Sequence, residues 1–357
     1  KNEDYIQHND DLIYRTTALD VQRQLSYKGK YLEIMATPDR WGLTWIPSAI
    51  MKGHKLVKKY QPDVIWSSSP IPSTHFIANK LAKKANIPWV ADYRDPFHYM
   101  NGTAGKWLDK FHKRIDQTTL NNASHITFAT SAVRDLYEQQ YQEVITKKNT
   151  VIENGYDEAN FEKLATLKNK ATPFAEQKFT LYYSGVLYPN GRDPVPIFEA
   201  LAELKKQKKI ANDNVELIFQ GAGNGAEFAE IINKLNINDI VKFIEPVSFI
   251  KALHNMTQSS ALLLIQDKRF NKQIPGKIYE YLRTNKPILV KADLEGETAK
   301  LATQFDEVYT GNSTNELIQA IDEIIQSDNS THRDLTNYNR ESKALLLQSI
   351  LINSIKH

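Results

Sequence analysis

The chain has 357 residues with 45 basic and 42 acidic side chains, a formal charge of +3 at pH 7, and no cysteine. That length exceeds one ordinary core and fits two domains, while the missing cysteine excludes disulfides, thiolate catalysis and cysteine-ligated zinc or iron–sulfur sites. The balanced charge gives no footprint for nucleic acid, and the small basic excess suits polyphosphate ligands or an anionic membrane surface.

Apolar residues make up 41% and charged residues 24%, a globular composition. No apolar run approaches the ~20 residues needed to span a bilayer, and the opening KNEDYIQHNDD has no apolar core of the secretory-signal kind.

In chain order, short apolar runs alternate with helical patterns, the signature of parallel α/β units. The first half predicts strands at Leu12–Thr16, Asp63–Ser67, Pro88–Tyr93, His125–Thr130 and Thr150–Glu153. It predicts helices near Pro47–Tyr60, Ser73–Asn86, Gly105–Asn122 and Ala132–Tyr141. DVIWSS and IPWVADY are continuously apolar, as strands buried on both faces should be. A polar linker is expected around Lys168–Gln177. Beyond it, strands are predicted at Phe179–Ser184, Val215–Gln220, Ile240–Ile244, Ala261–Gln266, Pro287–Lys291 and Glu307–Thr310. Helices are predicted at Val195–Gln207, Ala226–Leu235, Phe249–Met256, Lys277–Arg283, Thr298–Gln304 and Asn315–Gln326. The last stretch, RESKALLLQSILINSIK, carries Leu345, Leu346, Ser349, Ile350 and Ile352 at helical spacing. The expected domains are 1–167, 178–332 and a terminal helix over 333–357. Two successive doubly wound sheets bind ligands at the carboxyl ends of their strands.

The most informative segment is NKQIPGKIYEYLRTNKPILV. Pro275 and Gly276 precede a helix, whose first turn presents free N–H groups and a positive dipole end to an anion. Lys277 in that turn is poor for the helix and is better explained by a diphosphate partner. Glu280 lies three residues on, on nearly the same face, and its ionised carboxyl can accept both hydroxyls of a ribose. A plain Lys–Glu helix pair is the competing explanation. In YYSGVLYPNGRDP, Gly185 permits close backbone approach to a phosphate, and Arg192 can clamp phosphate oxygens or merely accompany Asp193 at a helix start. LIFQGAGNGAEF holds a G-x-G pair, a weak phosphate fingerprint by itself. VADYRDPF crowds Asp92, Arg94 and Asp95 after a strand, which reads either as a turn before Pro96 or as an acceptor site with Asp95 as base or orienter. Asp-x-Asp, H-E-x-x-H and paired-His patterns are absent, so the sequence implies no metal or cofactor. Catalysis would then rest on cations that stabilise a leaving diphosphate.

QDKRFNKQIPGKIYEYLRTNKPIL, with TPDRW, PDVIWSSSPIPSTH, IPWVADYRDPF, VIENGYDEANF, YSGVLYPNGRDP and the EGETA segment, resembles glycosyltransferase family four, and within it a bacterial surface-polysaccharide subgroup. That resemblance runs nearly the whole chain. It implies a GT-B architecture: two Rossmann-like α/β domains facing across a cleft, with the last helix crossing back to the first domain. It implies a nucleotide-sugar donor, with Glu280 on the ribose, Lys277 and Arg192 on the diphosphate, Gly221 and Gly223 beside the nucleotide, and Pro246 and Val247 near the base. A second Glu of the wider family is replaced here by Lys272 between Asn271 and Gln273. Amides in the Asn271–Gln273–Ile274–Pro275–Gly276 run would therefore read the donor sugar.

The implied activity is a metal-independent, retaining hexosyl transfer to a glycan, lipid-linked or surface-polysaccharide acceptor. Its expected place is the cytoplasm, in peripheral contact with the inner membrane. Arg94, Asp95 and Lys277 form the candidate catalytic set. A sugar-nucleotide epimerase, using Asp95 and His98, and a non-catalytic scaffold of the same fold remain the alternatives. GT-B chains usually open on a strand with a glycine-rich turn, which is not found after Lys1. An upstream strand, or another segment in that slot beside Asp63–Ser67, is therefore expected.

Overall fold

A computed structural model describes residues 12–97, 106–141, 149–168, 170–187, 191–327 and 332–356. The chain forms two compact units: one runs to Glu153 and resumes at Ala344, and the other is Asn154–Lys343.

The first unit holds a parallel sheet of β1 (Ile65–Ser68), β2 (Trp89–Tyr93), β3 (His125–Phe128) and β4 (Asn149–Val151), in that spatial order. Helices Gly42–Tyr60, Pro72–Ala85, Lys106–Asn122 and Ser131–Gln140 accompany them. All five residues of β2 are buried, as its unbroken apolar run requires. Around it Tyr93, Phe97, Phe128 and Tyr137 pack with ring centroids 4.8–5.7 Å apart, within the range for favourable aromatic pairs. Asp92 is the polar exception in β2: it accepts hydrogen bonds from Thr127 Oγ1 and Ser68 Oγ at 2.7 Å each.

Two expectations fail here. Residues 13–20 form no strand; Leu19 N–H donates to Thr44 Oγ1 at 2.8 Å and Trp45 Nε1 to Thr16 Oγ1 at 3.1 Å. The segment thus satisfies its polar groups on helix Gly42–Tyr60 rather than on a sheet. That helix begins five residues before Pro47, which lies inside it instead of opening it. Among the described residues β1 pairs only with β2, so no strand occupies its other edge.

The second unit is a six-stranded parallel sheet of β5 (Phe179–Ser184), β6 (Val215–Gln220), β7 (Val241–Ile244), β8 (Ala261–Ile265), β9 (Ile288–Lys291) and β10 (Val308–Gly311). Its order is β10-β9-β8-β5-β6-β7, a doubly wound topology whose direction reverses between β5 and β8. β6 and β8 are buried throughout. On one face Phe198 meets Phe219 edge-on and Phe219 stacks on Phe243, with those last two centroids 4.8 Å apart. Each buried side chain of this kind contributes about 1.5–3 kcal/mol.

The predicted helix Ala226–Leu235 is instead a 3-10 turn, Ala226–Phe228, followed by an α-helix, Ala229–Lys234. Gly225, in the left-handed region at φ +72°, and the Asn224 side chain, which takes the Ala226 N–H at 3.0 Å, delay the regular helix. The units also part at Glu153 rather than in the expected linker. Residues 154–168 pack with the second unit because Tyr156, Phe161 and Leu164 join its apolar cluster and Glu158 pairs with Arg283.

Arg333, only 6% exposed, fastens one end of the second unit. Its guanidinium donates to the carbonyls of Leu282, Lys286, Asp306 and Glu307 at 3.0–3.4 Å. Leu347, Ile350 and Leu351 of the last helix, Arg340–Ile355, pack on Val64, Val90 and Ile152 of the first unit, to which residues from Ala344 belong. Leu345, Leu346 and Ile352 of the predicted apolar set are instead exposed.

Candidate functional site

In the second unit, β5, β6 and β7 end level with one another, because Ser184 registers with Gln220 and Gln220 with Ile244. The chain leaves each strand in a turn at this edge. Gly185 (φ +117°), Gly221 (φ +71°) and Gly223 (φ +90°) all occupy the left-handed region that disfavours a side chain. Gly221 lies against Pro246, whose ring would be 3.4 Å from an added Cβ, whereas nothing lies within 4 Å of such a Cβ at Gly223 or Gly276. Pro246 and Val247 are exposed on the turn after β7. Gln220 fixes this edge from below: its Oε1 accepts from Tyr182 and Asn255, and its Nε2 donates to the Glu245 carbonyl at 3.1 Å.

Helix Lys277–Arg283 follows β8 and has the predicted bounds. It is anchored on its apolar face by Ile278, Tyr279, Tyr281 and Leu282, all fully buried. Its opposite face carries Lys277 and Glu280. The Lys277 Nζ donates to the Ser184 carbonyl, lies 4.4 Å from the centre of the Tyr183 ring, and would be 3.0 Å from a Cβ at Gly185. Burial, with the positive charge of Arg192 adding to it, lowers this amine to a pKa of about 7. Glu280 moves the other way, raised to about 7 by burial and held back by Arg340 and Lys277. Two cations and one carboxyl thus share this edge with three turns that expose backbone. Such an arrangement can take a diphosphate on the cations and hydroxyl groups on the carboxylate.

The remaining predicted residues divide. Arg192 donates to the Val186 carbonyl at 3.0 Å, and Asp193 accepts the Val195 N–H at 3.0 Å. Arg192 therefore faces the Lys277 site while Asp193 serves the helix start; Tyr188–Asn190 of the motif lie outside the described residues. The Asn271 side chain donates to Asp293 at 2.9 Å and its carbonyl takes the Glu297 N–H at 2.8 Å, so it shapes the EGETA turn. The Gln273 carbonyl accepts from Thr298 at 3.1 Å, and Ile274 is buried in the core with Ile278. Pro275 is half-buried and Gly276 exposed ahead of the helix. The Ile278 and Tyr279 N–H groups bond the Pro275 and Gly276 carbonyls at 3.1 and 3.2 Å, so they are engaged within the helix.

Asp95 and Arg94 belong to the first unit, at the carboxyl end of β2. Arg94 lies 3.6 Å from Asp92 and donates to the Ile152 carbonyl at 2.8 Å, tying β2 to the residue after β4. Burial raises the Asp95 carboxyl above its usual range, with the Arg94 charge opposing. His98 lies outside the described residues. The sequence reading passed over Tyr183 and Arg340; the only cue for Arg340 is a cation in the first turn of a helix, where the dipole disfavours it.

Residues 11–160 match the profile of Glycosyltransferase Family 4. Solved structures with the same two-sheet architecture include sucrose-phosphate synthase from Thermosynechococcus elongatus, 15% identical, covering 86% of this chain and 77% of that one at a TM-score of 0.59. Anabaena Alr3699/HepE, solved in complex with UDP, is 15% identical over 85% of this chain and 82% of its own, also at 0.59. The chain has the GT-B fold. The UDP-GlcNAc 2-epimerase of Methanocaldococcus jannaschii shares it too, 14% identical over 86% and 82% of the two chains with a TM-score of 0.53. No curated protein sequence matches this chain.

Among the described residues no group of three or more His, Asp or Glu side chains is placed to hold a metal ion, and no helix is long and apolar enough to cross a membrane.

Proposed function

We propose that this GT-B chain transfers a hexosyl group, with retention and without a metal, from a nucleoside-diphosphate sugar to a glycan, lipid-linked or surface-polysaccharide acceptor. The observation that carries this reading is the gathering of Lys277 with Arg192 and Glu280 at the Gly185 turn, on the strand edge that also bears the Gly221 turn. Lys277 and Arg192 hold the diphosphate and stabilise the charge that grows on it as the sugar departs. A neighbouring anion restores the proton that burial removes from Lys277. Glu280 accepts the ribose hydroxyls, and those hydrogen bonds favour its ionised form. Asp95, whose carboxyl burial raises against the opposing charge of Arg94, is assigned to the acceptor hydroxyl as orienter or base. The chain would work at the cytosolic face of the inner membrane, where such acceptors are assembled. UDP bound to the Anabaena protein and the family profile over residues 11–160 both favour a nucleotide-sugar donor.

The epimerase sharing this fold gives the second reading. Incubation with a panel of UDP-sugars decides between them. A transferase releases nucleotide slowly and faster when acceptor is added; an epimerase returns an isomeric nucleotide sugar. A chain that does neither and binds no nucleotide overturns both.

A further inference from the structure

In the first unit, helices Pro72–Ala85 and Lys106–Asn122 flank a cavity of about 360 Å³ that shares no residue with the nucleotide edge of the second unit. At its floor is His75, fully buried among Trp89, Tyr93 and Phe97. Its Nδ1 lies 2.8 Å from Ser67 Oγ, and that oxygen accepts the Trp89 indole N–H at 2.8 Å. An indole nitrogen only donates, so the Ser67 proton is left for His75 Nδ1. The neutral imidazole that satisfies this Ser67 proton carries its own proton on Nε2. Burial keeps it neutral, with a pKa lowered to about 3. This Nε2–H is buried and has no hydrogen-bond partner among the described residues, a costly condition that native structures seldom leave unanswered.

The walls and rim complete a consistent chemistry. Phe76, Phe111 and Ile115 supply apolar surface, while Lys80, Lys83 and Arg114 are exposed at the mouth and, among the described residues, none that is acidic lines the cavity. Lys80 lies over the Phe76 ring, 5.5 Å from its centre. At about 30 Å³ per water-sized group, the space holds on the order of a dozen such groups, the lower end of small-molecule pockets.

We propose that this cavity is a second ligand site, which takes a small amphiphilic anion. Its phosphate or carboxylate pairs with Lys80, Lys83 and Arg114, its flat apolar body lies on Phe76, Phe111 and Ile115, and an oxygen at its inner end accepts the His75 Nε2–H.

4-Nitrophenyl phosphate has all three features; phenyl phosphate lacks the inner acceptor, and 4-nitrobenzyl alcohol lacks the charge. Calorimetry on the full chain should rank the first about tenfold tighter than either of the others, the worth of one hydrogen bond or one charge-assisted contact. The double variant Lys80→Glu/Arg114→Glu, at exposed positions, should weaken 4-nitrophenyl phosphate by tenfold or more (about 1.4 kcal/mol). His75→Phe should abolish the preference over phenyl phosphate. Should that variant fold poorly, Ile115→Trp, which fills the cavity, should remove binding instead. Lys277→Ala should change nothing here, so the outcome is separable from the proposed donor site. Equal affinity for the two phosphates, indifference to Lys80→Glu/Arg114→Glu, competition by inorganic phosphate alone at the same concentration, or absence of saturable binding would each overturn the proposal.

Discussion

Binding of a nucleotide sugar should exchange protons with solvent, and the direction should reverse near neutral pH. Lys277 and Glu280 both titrate at about 7 in the unliganded protein, displaced there from opposite directions by burial. A nucleotide sugar has its diphosphate esterified at both ends, so it carries no titrating proton in this range. At pH 8 free Lys277 is about one-tenth protonated, and a diphosphate beside it restores the charge, so binding takes up about 0.9 proton. Glu280 is already mostly ionised and releases about 0.1, leaving a net uptake of about 0.8. At pH 6 the balance inverts: Glu280 must shed about 0.9 proton to accept the ribose hydroxyls, Lys277 gains about 0.1, and about 0.8 proton is released. The bound state therefore holds more protons above pH 7, where affinity falls as pH rises. It holds fewer below pH 7, where affinity falls as pH drops. Each limb is worth about 1.1 kcal/mol per pH unit. Calorimetry in buffers of different ionisation enthalpy at pH 6, 7 and 8 counts these protons directly. Lys277→Ala should erase the uptake at pH 8, and Glu280→Gln the release at pH 6. A proton count of one sign from pH 6 to 8, or unchanged in both variants, would refute the assignment of these two side chains to the ligand.

Glu280→Gln should also weaken ribonucleotides by about 1.5–3 kcal/mol while affecting 2′-deoxy analogues much less; titration of both nucleotides into wild type and variant measures the difference. Gly185→Ala should lower donor affinity at least as strongly as Lys277→Ala, because it forces a side chain into φ +117° and 3.0 Å from the Lys277 amine; equal affinity to wild type would show that the turn can move aside. The first unit should lose about 1.4 kcal/mol per pH unit as pH falls from 6.5 towards 3, because the unfolded chain binds a proton that buried His75 refuses. Urea midpoints across that window in wild type and His75→Gln test this, and the variant should show a shallower slope.

Strands were legible because parallel β-sheets demand unbroken apolar runs. Phe179–Ser184 and Val215–Gln220 were placed to the residue, as was helix Lys277–Arg283, whose Pro and Gly lead-in and apolar stripe leave little choice. Leu12–Thr16 failed because a short apolar run does not specify what its backbone pairs with; here the Thr16 side chain and the backbone of Thr17 and Leu19 just beyond it bond side chains 25–31 residues away. The linker failed for a related reason. Residues 154–168 look polar in sequence, yet three spaced apolar side chains and one ion pair suffice to hold them on the second unit. At the candidate site, Lys277 and Glu280 could be named from spacing and resemblance, but their opposed displacement depends on how deeply the helix is set. Asn271, expected to read a sugar, is bound to Asp293 and Glu297, contacts that sequence separation hides.

Arg333 gives the seven-residue helix bearing Lys277 and Glu280 a fixed far end. A helix that short spans about 10 Å and has little cooperativity of its own. The carbonyls of Leu282 and Lys286, at and just past its end, rest on one guanidinium that also grips the chain entering β10. With Lys277 and Glu280 assigned to the donor as proposed, affinity should then depend on a residue outside the site. Arg333→Met, near in volume but unable to donate, should take the guanidinium from four carbonyls, of which those of Leu282 and Glu307 keep the Asn285 and Ile288 N–H groups, and the helix should fray before the sheet melts. Such an allele would be cold-tolerant and heat-sensitive: near-normal nucleotide binding when cool, then affinity lost on warming several degrees below global unfolding. Its defect would be mistaken for a binding-site lesion by any assay run at a single temperature.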